Sequence, residues 1–290
     1  MDTVRSNDGT LIAYERSGTG PALVLVHGTT ADHTRWGRIL PMLEQTFTVY
    51  AVDRRGRGQS GDSAAYAIER EYEDIAAVVN SIPGPVNLLG HSYGALISLE
   101  AALCVTNLNR LVLYEPAIPA GLPMYPPGAR AGIQALLDTG DREGALLAFY
   151  RDVVEVPEDQ LAVLRKDPSW AARLGAAHTI PREFADEDYI FEPSRFKSLD
   201  APTLLLEGEK SPRYLKAATE AVHAALPASR IIVMPGQQHI AMSTAPELFV
   251  RLVTGSCSVR LNRPGWGRLV GSAGSTGRSR ERGGPQGPAL

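Results

Sequence analysis

The chain has 290 residues, 44% of them hydrophobic and 21% charged, with a formal net charge of −3. That balance fits a large globular domain with an insertion and gives no electrostatic case for nucleic acid. No run of about eighteen apolar residues is present to cross a membrane, and two cysteines, Cys104 and Cys257, form neither a disulfide framework nor a zinc pattern.

The first residues, Met1-Asp2-Thr3-Val4-Arg5-Ser6, lack the apolar core of a signal peptide, so a cytoplasmic location is the expectation. Residues 3–16 alternate and turn at Asn7-Asp8-Gly9, which reads as an antiparallel hairpin. Ala22-Leu23-Val24-Leu25-Val26 is a continuous apolar run, the pattern of a central strand buried on both faces, and it ends at His27-Gly28-Thr29-Thr30. A helix is expected from His33 to about Gln45, then a strand over 46–52 that ends at Asp53-Arg54-Arg55-Gly56-Arg57-Gly58-Gln59-Ser60. A helix from about Glu69 to Ser81 leads into the apolar run Val86-Asn87-Leu88-Leu89.

That run ends in Gly90-His91-Ser92-Tyr93-Gly94, and an Ala/Leu-rich helix follows to about Cys104, which is expected to be a buried thiol at the helix end. Strand, tight turn and helix are the context in which Gly-x-Ser-x-Gly carries chemistry. Gly90 and Gly94 remove side chains that would clash across the turn, and the helix N-terminus beneath Ser92 favours an oxyanion. Ser92 is therefore the candidate nucleophile.

Beyond it, Leu108 to Tyr114, Thr203 to Gly208 and Arg230 to Pro235 read as strands, with a helix from Pro212 to Leu226. Strands alternating with helices predict an α/β fold, a mainly parallel doubly wound sheet. Residues 1–116 and 200–254 are assigned to this core. Residues 117–199 show only helical signals, with Asp141, Pro157 and Ser169 as helix starts. Placed after the C-terminal end of a strand, this segment is expected to lie above the sheet as a helical cap or lid, where open α/β folds bind ligands. Tyr125, Phe149, Tyr150, Trp170, Phe184, Tyr189 and Phe191 suggest an apolar pocket within it. The segment 255–290 is rich in Arg and Gly with little to bury, and reads as a disordered tail; the preceding helix, from Ala245 to Val253, is expected to stop before Gly255.

A serine hydroxyl needs a base within hydrogen-bond reach. Of six histidines, His239 lies in a loop straight after the last strand and reaches the same sheet edge as Ser92; His27 reads as structural, and the His91 ring should point away from Ser92. The imidazole in turn needs a carboxylate to hold its tautomer.

The series His27-Gly28, Asp53-x-Arg55-Gly56-x-Gly58-x-Ser60, Gly90-His91-Ser92-Tyr93-Gly94 and Gly236-x-x-His239 resembles the α/β-hydrolase fold superfamily over about residues 3–254. In many members the acid stands fourth in a Gly-x-x-Asp turn after the penultimate strand; here that turn is Gly208-Glu209-Lys210-Ser211. The haloalkane-dehalogenase branch instead carries its acid at the end of the strand after the elbow, which here is Glu115. The resemblance thus favours Glu115 over the alternative acid Glu209, with Glu207, inside the strand, third. Geometry and resemblance together put the oxyanion hole at the backbone amides of Thr29 and Tyr93, with the Thr29 or Thr30 hydroxyl as a further donor, and make Asp53, Arg55 and Ser60 structural.

The resemblance implies a serine hydrolase that cleaves an ester-like acyl bond of a small, largely apolar substrate through Ser92, His239 and Glu115. No metal or organic cofactor, nucleic acid or membrane partner is implied, and oligomeric state is left open. A cofactor-free haloperoxidase-like enzyme or a carbon–carbon bond hydrolase shares these motifs, and a ligand-binding receptor can retain them.

Overall fold

The computed structural model describes residues 1–184, 189–258 and 269–270. Its strands are β1 (Asp2–Arg5), β2 (Leu11–Ser17), β3 (Ala22–Val26), β4 (Thr48–Val52), β5 (Val86–His91), β6 (Leu108–Tyr114), β7 (Thr203–Gly208), β8 (Ser229–Met234) and β9 (Leu269–Val270). They join in one sheet in the order β1-β2-β4-β3-β5-β6-β7-β8-β9. Only the pairings of β2 with β1 and with β4 are antiparallel; from β4 to β9 every pairing is parallel.

The helices are α1 (Leu40–Leu43), α2 (Ile68–Ser81), α3 (Tyr93–Ala101), α4 (Ala129–Asp138), α5 (Arg142–Ala148), α6 (Glu158–Arg165), α7 (Trp170–Ala176), α8 (Arg213–Ala225), α9 (Ala241–Thr244) and α10 (Pro246–Ser258). β3 shows why its sequence is apolar throughout. Val24 and Val26 belong to one core with Ile75 and Val79 of α2, Leu96 of α3 and Val222 of α8. Leu23 and Leu25 belong to the other, with Trp36, Leu43 of α1 and Phe249 of α10. Period-two alternation sends successive residues to opposite faces, and here both faces are covered.

Between β6 and β7 the described residues form helices and no strand. Asp141 caps α5 by accepting from the Gly144 amide at 2.8 Å, and α6 starts after Pro157. At α7 the expected Ser169 cap gives way to Asp167, whose Oδ1 accepts from both the amide and the hydroxyl of Ser169. α5 runs on into a π-helical turn, Phe149–Val153. Insertions of this kind in a helix re-aim side chains and recur at functional sites.

Three expectations are corrected. The helix expected from His33 to Gln45 is two pieces, a 3₁₀ turn over His33–Trp36 and then α1, because Pro41 lacks the amide that a continuous helix requires. Cys104 is exposed, since α3 ends at Ala101 and the chain turns there with the Cys104 amide donating to Ala101 O. The last helix continues through Gly255 to Ser258, because Cys257 still packs on the core, which offsets the roughly 1 kcal/mol that glycine costs a helix. Of the tail expected from residue 255, residues 255–258 are helical and 269–270 pair with β8; the remainder lies outside the described residues. Among the described residues no helix is long and apolar enough to cross a membrane.

Candidate active site

β5 delivers the chain into a turn at Ser92, whose φ of 57° and ψ of −124° lie in a region nearly closed to residues with a Cβ. The turn is held because the Ser92 amide donates to Tyr114 O at 2.9 Å, while its carbonyl accepts from the Ala95 and Leu96 amides. The neighbouring glycines make room. A Cβ on Gly90 would lie 2.5 Å from Gly94 O, and one on Gly94 would lie 2.3 Å from His27 O. α3 begins at Tyr93, so its unpaired N-terminal amides gather next to Ser92.

His239 lies beyond β8, and its Nδ1 stands 2.6 Å from Oε2 of Glu115. A carboxylate only accepts, so Nδ1 is the donor in this bond. Glu115 follows directly on β6 with a φ of 45°, is fully buried, and takes a second hydrogen bond on Oε1 from the Gly208 amide at 2.6 Å. Gly208 has no room for a side chain: a Cβ there would meet Ser211 Oγ at 2.5 Å. Glu209 points elsewhere. It is exposed, and its Oε2 accepts from the Gly236 amide at 2.6 Å, so it braces the turn that precedes the histidine loop.

Two side chains that sequence reasoning left without a task hold this loop. His91 Nε2 donates to the His239 carbonyl at 2.8 Å, and the two rings lie 4.6 Å apart between centroids. Burial, and then the neighbouring His239, push the His91 pKa well below its usual value, so the ring stays neutral and keeps the Nε2 proton this bond requires. The Tyr114 hydroxyl donates to the Gln238 carbonyl and accepts from the Ala241 amide at 3.1 Å, spanning His239 from both sides. The signal was present in outline, since Tyr114 precedes Glu115 and His91 precedes Ser92, but the loop they hold is far away in the chain.

Ser92 and His239 line one narrow pocket, of about 30 Å³, with Gly28, Thr29, Arg35 and Arg173. Of the aromatics expected to form an apolar pocket, only Phe149 and Tyr150 reach it. Tyr125 and Phe184 pack on each other, and Tyr189 donates to Glu100 at 2.7 Å. The Thr29 amide has no acceptor among the described residues. The Thr30 hydroxyl is buried and shares a 2.6 Å hydrogen bond with the Tyr150 hydroxyl.

The remaining motif residues make structural contacts. Asp53 accepts from the amides of His33 and Gln59 and from the His33 ring, and Ser60 bridges the Asp53 carbonyl and the Ala13 amide. Arg55 pairs with Asp74 and Asp8. His27 accepts from the Arg54 amide at 3.2 Å, and burial followed by the Arg54 charge depresses its pKa well below the usual value. Arg54 and Arg57 both bind Glu183 from the segment after α7, and Arg54 also binds Glu71 of α2. The ligand atoms of Asp32, His33 and Asp53 lie within 4.8 Å of one another, but hydrogen bonds to Thr34, Gln59 and the His33 amide already engage these carboxylates.

A family model described as "Alpha/beta hydrolase family" matches residues 23–252. An alpha/beta hydrolase from Sphaerobacter thermophilus of known structure shares 35% identity at a TM-score of 0.77, over 88% of this chain and 99% of that one. The chain is 26% identical over 255 residues to 2-(acetamidomethylene)succinate hydrolase of Mesorhizobium japonicum, covering 82% of this chain and 88% of that protein. It is 25% identical over 254 residues to pimeloyl-[acyl-carrier protein] methyl ester esterase of Aeromonas hydrophila, covering 83% and 97%.

Proposed function

The chain belongs to the alpha/beta hydrolase family, and on that premise we propose that it is a serine hydrolase acting on an acyl bond of a small molecule. Relatives named as a hydrolase and an esterase support hydrolysis. The observation that carries the finer reading is the 2.6 Å contact of Glu115 with His239 Nδ1, in a pocket that Ser92 also lines.

In this reading Ser92 Oγ attacks the carbonyl carbon while His239 Nε2 takes its proton. The buried Glu115 carboxylate keeps the ring in the Nδ1–H tautomer and stabilises the imidazolium. The oxyanion that forms on the carbonyl is received by the amides of Tyr93, at the start of α3, and Thr29. The tetrahedral intermediate collapses as His239 returns the proton to the leaving group. Water then attacks the acyl-enzyme with His239 again as base, and Ser92 is regenerated. Residues 117–199 act as the lid of this site, contributing Phe149, Tyr150, Val154, Leu164 and Arg173 to the pocket.

Turnover of small aryl esters without peroxide tests the reading. Ester hydrolysis that disappears in Ser92→Ala is the expected result; product formation only in the presence of peroxide, or intact ester after prolonged incubation, would contradict it.

A further inference from the structure

The pocket holds two buried guanidinium groups with no carboxylate in direct contact among the described residues; Asp167 acts on both only through space. Arg35, 6% exposed, follows the turn after β3, and its Nη1 and Nη2 donate only to neutral atoms, Ser243 Oγ at 2.7 Å and Met242 Sδ at 2.8 Å. Arg173 of α7, 3% exposed, donates through Nε to Ser169 Oγ at 3.2 Å and through Nη1 to the Tyr150 hydroxyl at 2.7 Å. Its Nη2 is buried without a partner. Among the described residues neither group makes an ion pair. The nearby Asp167 is spent on Ser169 and on Arg38 at 3.3 Å.

The contrast within the same molecule is informative. Arg54, Arg55 and Arg57 are buried too, and each binds carboxylates. An uncompensated buried cation costs several kcal/mol. Here two line one pocket, and burial together with the Arg173 charge lowers the Arg35 pKa to about 9. One belongs to the segment after β3 and one to α7, so an anion bound by both would join the two.

We infer that the pocket takes a substrate bearing a carboxylate, which Arg173 and Arg35 receive beside Ser92 while the acyl carbon faces the nucleophile. This rests on the reading of Ser92 and His239 as the reacting pair. Arg173 Nη2 supplies the unused donor. The Tyr150 hydroxyl, already bonded to both Arg173 and Thr30, fixes the guanidinium in place. Phe149, Val154 and Leu164 enclose the carbon chain between the two ends.

The test measures binding without turnover. Ser92→Ala protein is titrated calorimetrically with acetate, succinate, glutarate and the monomethyl esters of the two diacids, and in parallel with the neutral dimethyl esters and diamides. At least one carboxylate should bind saturably and its neutral counterparts about 10- to 100-fold more weakly. That preference should disappear in Ser92→Ala/Arg173→Gln and shrink in Ser92→Ala/Arg35→Gln, each variant first shown to unfold cooperatively. If Arg173→Gln does not fold, Tyr150→Phe, which frees the guanidinium to swing, serves in its place and should weaken carboxylate binding alone. Neutral compounds bound as well as the acids, no carboxylate bound at all, or a preference that survives in the variants would each overturn the proposal. Fluorophosphonate labelling of Ser92 in otherwise native protein reports the nucleophile separately, so the two readings fail independently.

Discussion

Oε2 of Glu115 and Nδ1 of His239 meet at 2.6 Å although 124 residues separate them in the chain. The contact depends on the left-handed backbone of Glu115, which turns its side chain under the histidine loop, and on the Gly208 amide that anchors the other carboxylate oxygen. Glu115→Gln should lower kcat by about 10³–10⁴-fold with the fold retained, because an amide can present a donor to Nδ1 and stabilises no imidazolium. Glu209→Gln should leave kcat within a few-fold and cost about 1 kcal/mol of stability through its bond to Gly236. Steady-state kinetics beside urea unfolding checks both.

Tyr114 acts on the histidine through the loop. Tyr114→Phe removes the bonds to the Gln238 carbonyl and the Ala241 amide while keeping the ring packed on Phe249. The expected result is a kcat reduced about 10- to 100-fold with KM nearly unchanged, as misplacement of a catalytic group predicts. An equal change in KM would assign Tyr114 to substrate binding instead.

Glu183 joins the segment after α7 to the core through two buried arginines. Among the described residues, Glu183→Gln leaves Arg57 with one distant carboxylate contact, at 4.0 Å to Glu71, beside its bond to the Arg55 carbonyl. Removing one partner of a buried pair should cost about 3–5 kcal/mol, read as a lower urea midpoint at unchanged slope.

His33 gives the stability a pH dependence near neutrality. Its hydrogen bond to Asp53 outweighs burial and raises its folded-state pKa. A raised pKa favours the folded state while the ring is protonated. The contribution is therefore complete below the unfolded value of about 6.5 and is lost as pH rises through the folded pKa. The melting temperature should fall across that window in native protein relative to His33→Gln, and parallel profiles for the two proteins would exclude the linkage. Glu71 acts in the opposite direction. Burial alone would raise its pKa, but Arg54 and Arg57 hold it below the usual range, so its contribution is present above the unfolded pKa and is lost as pH falls through the folded one.

The parts of this molecule that were legible in sequence are those in which backbone geometry dictates residue type. The turn at Ser92 excludes side chains at Gly90 and Gly94, and β3 must be apolar on both faces. The choice between Glu115 and Glu209 was narrowed by resemblance, but only the fold shows Oε2 of Glu209 on the Gly236 amide. The aromatic residues of 117–199 divided: Phe149 and Tyr150 line the pocket beside Ser92, while Tyr125 and Phe184 pack on each other and line another. Sequence carries no sign of which pocket a ring will reach. Arg35 and Arg173 were invisible for a related reason: 138 positions separate them in the sequence, and an arginine declares itself unpaired only once its neighbours are in place.

The most direct test of the central claim is intact-mass labelling with a fluorophosphonate, comparing native protein with Ser92→Ala. The account predicts one covalent adduct on the native chain, absent from Ser92→Ala, and formed far more slowly in Glu115→Gln. A folded native protein that takes no adduct, or one that labels equally in Ser92→Ala, would contradict it.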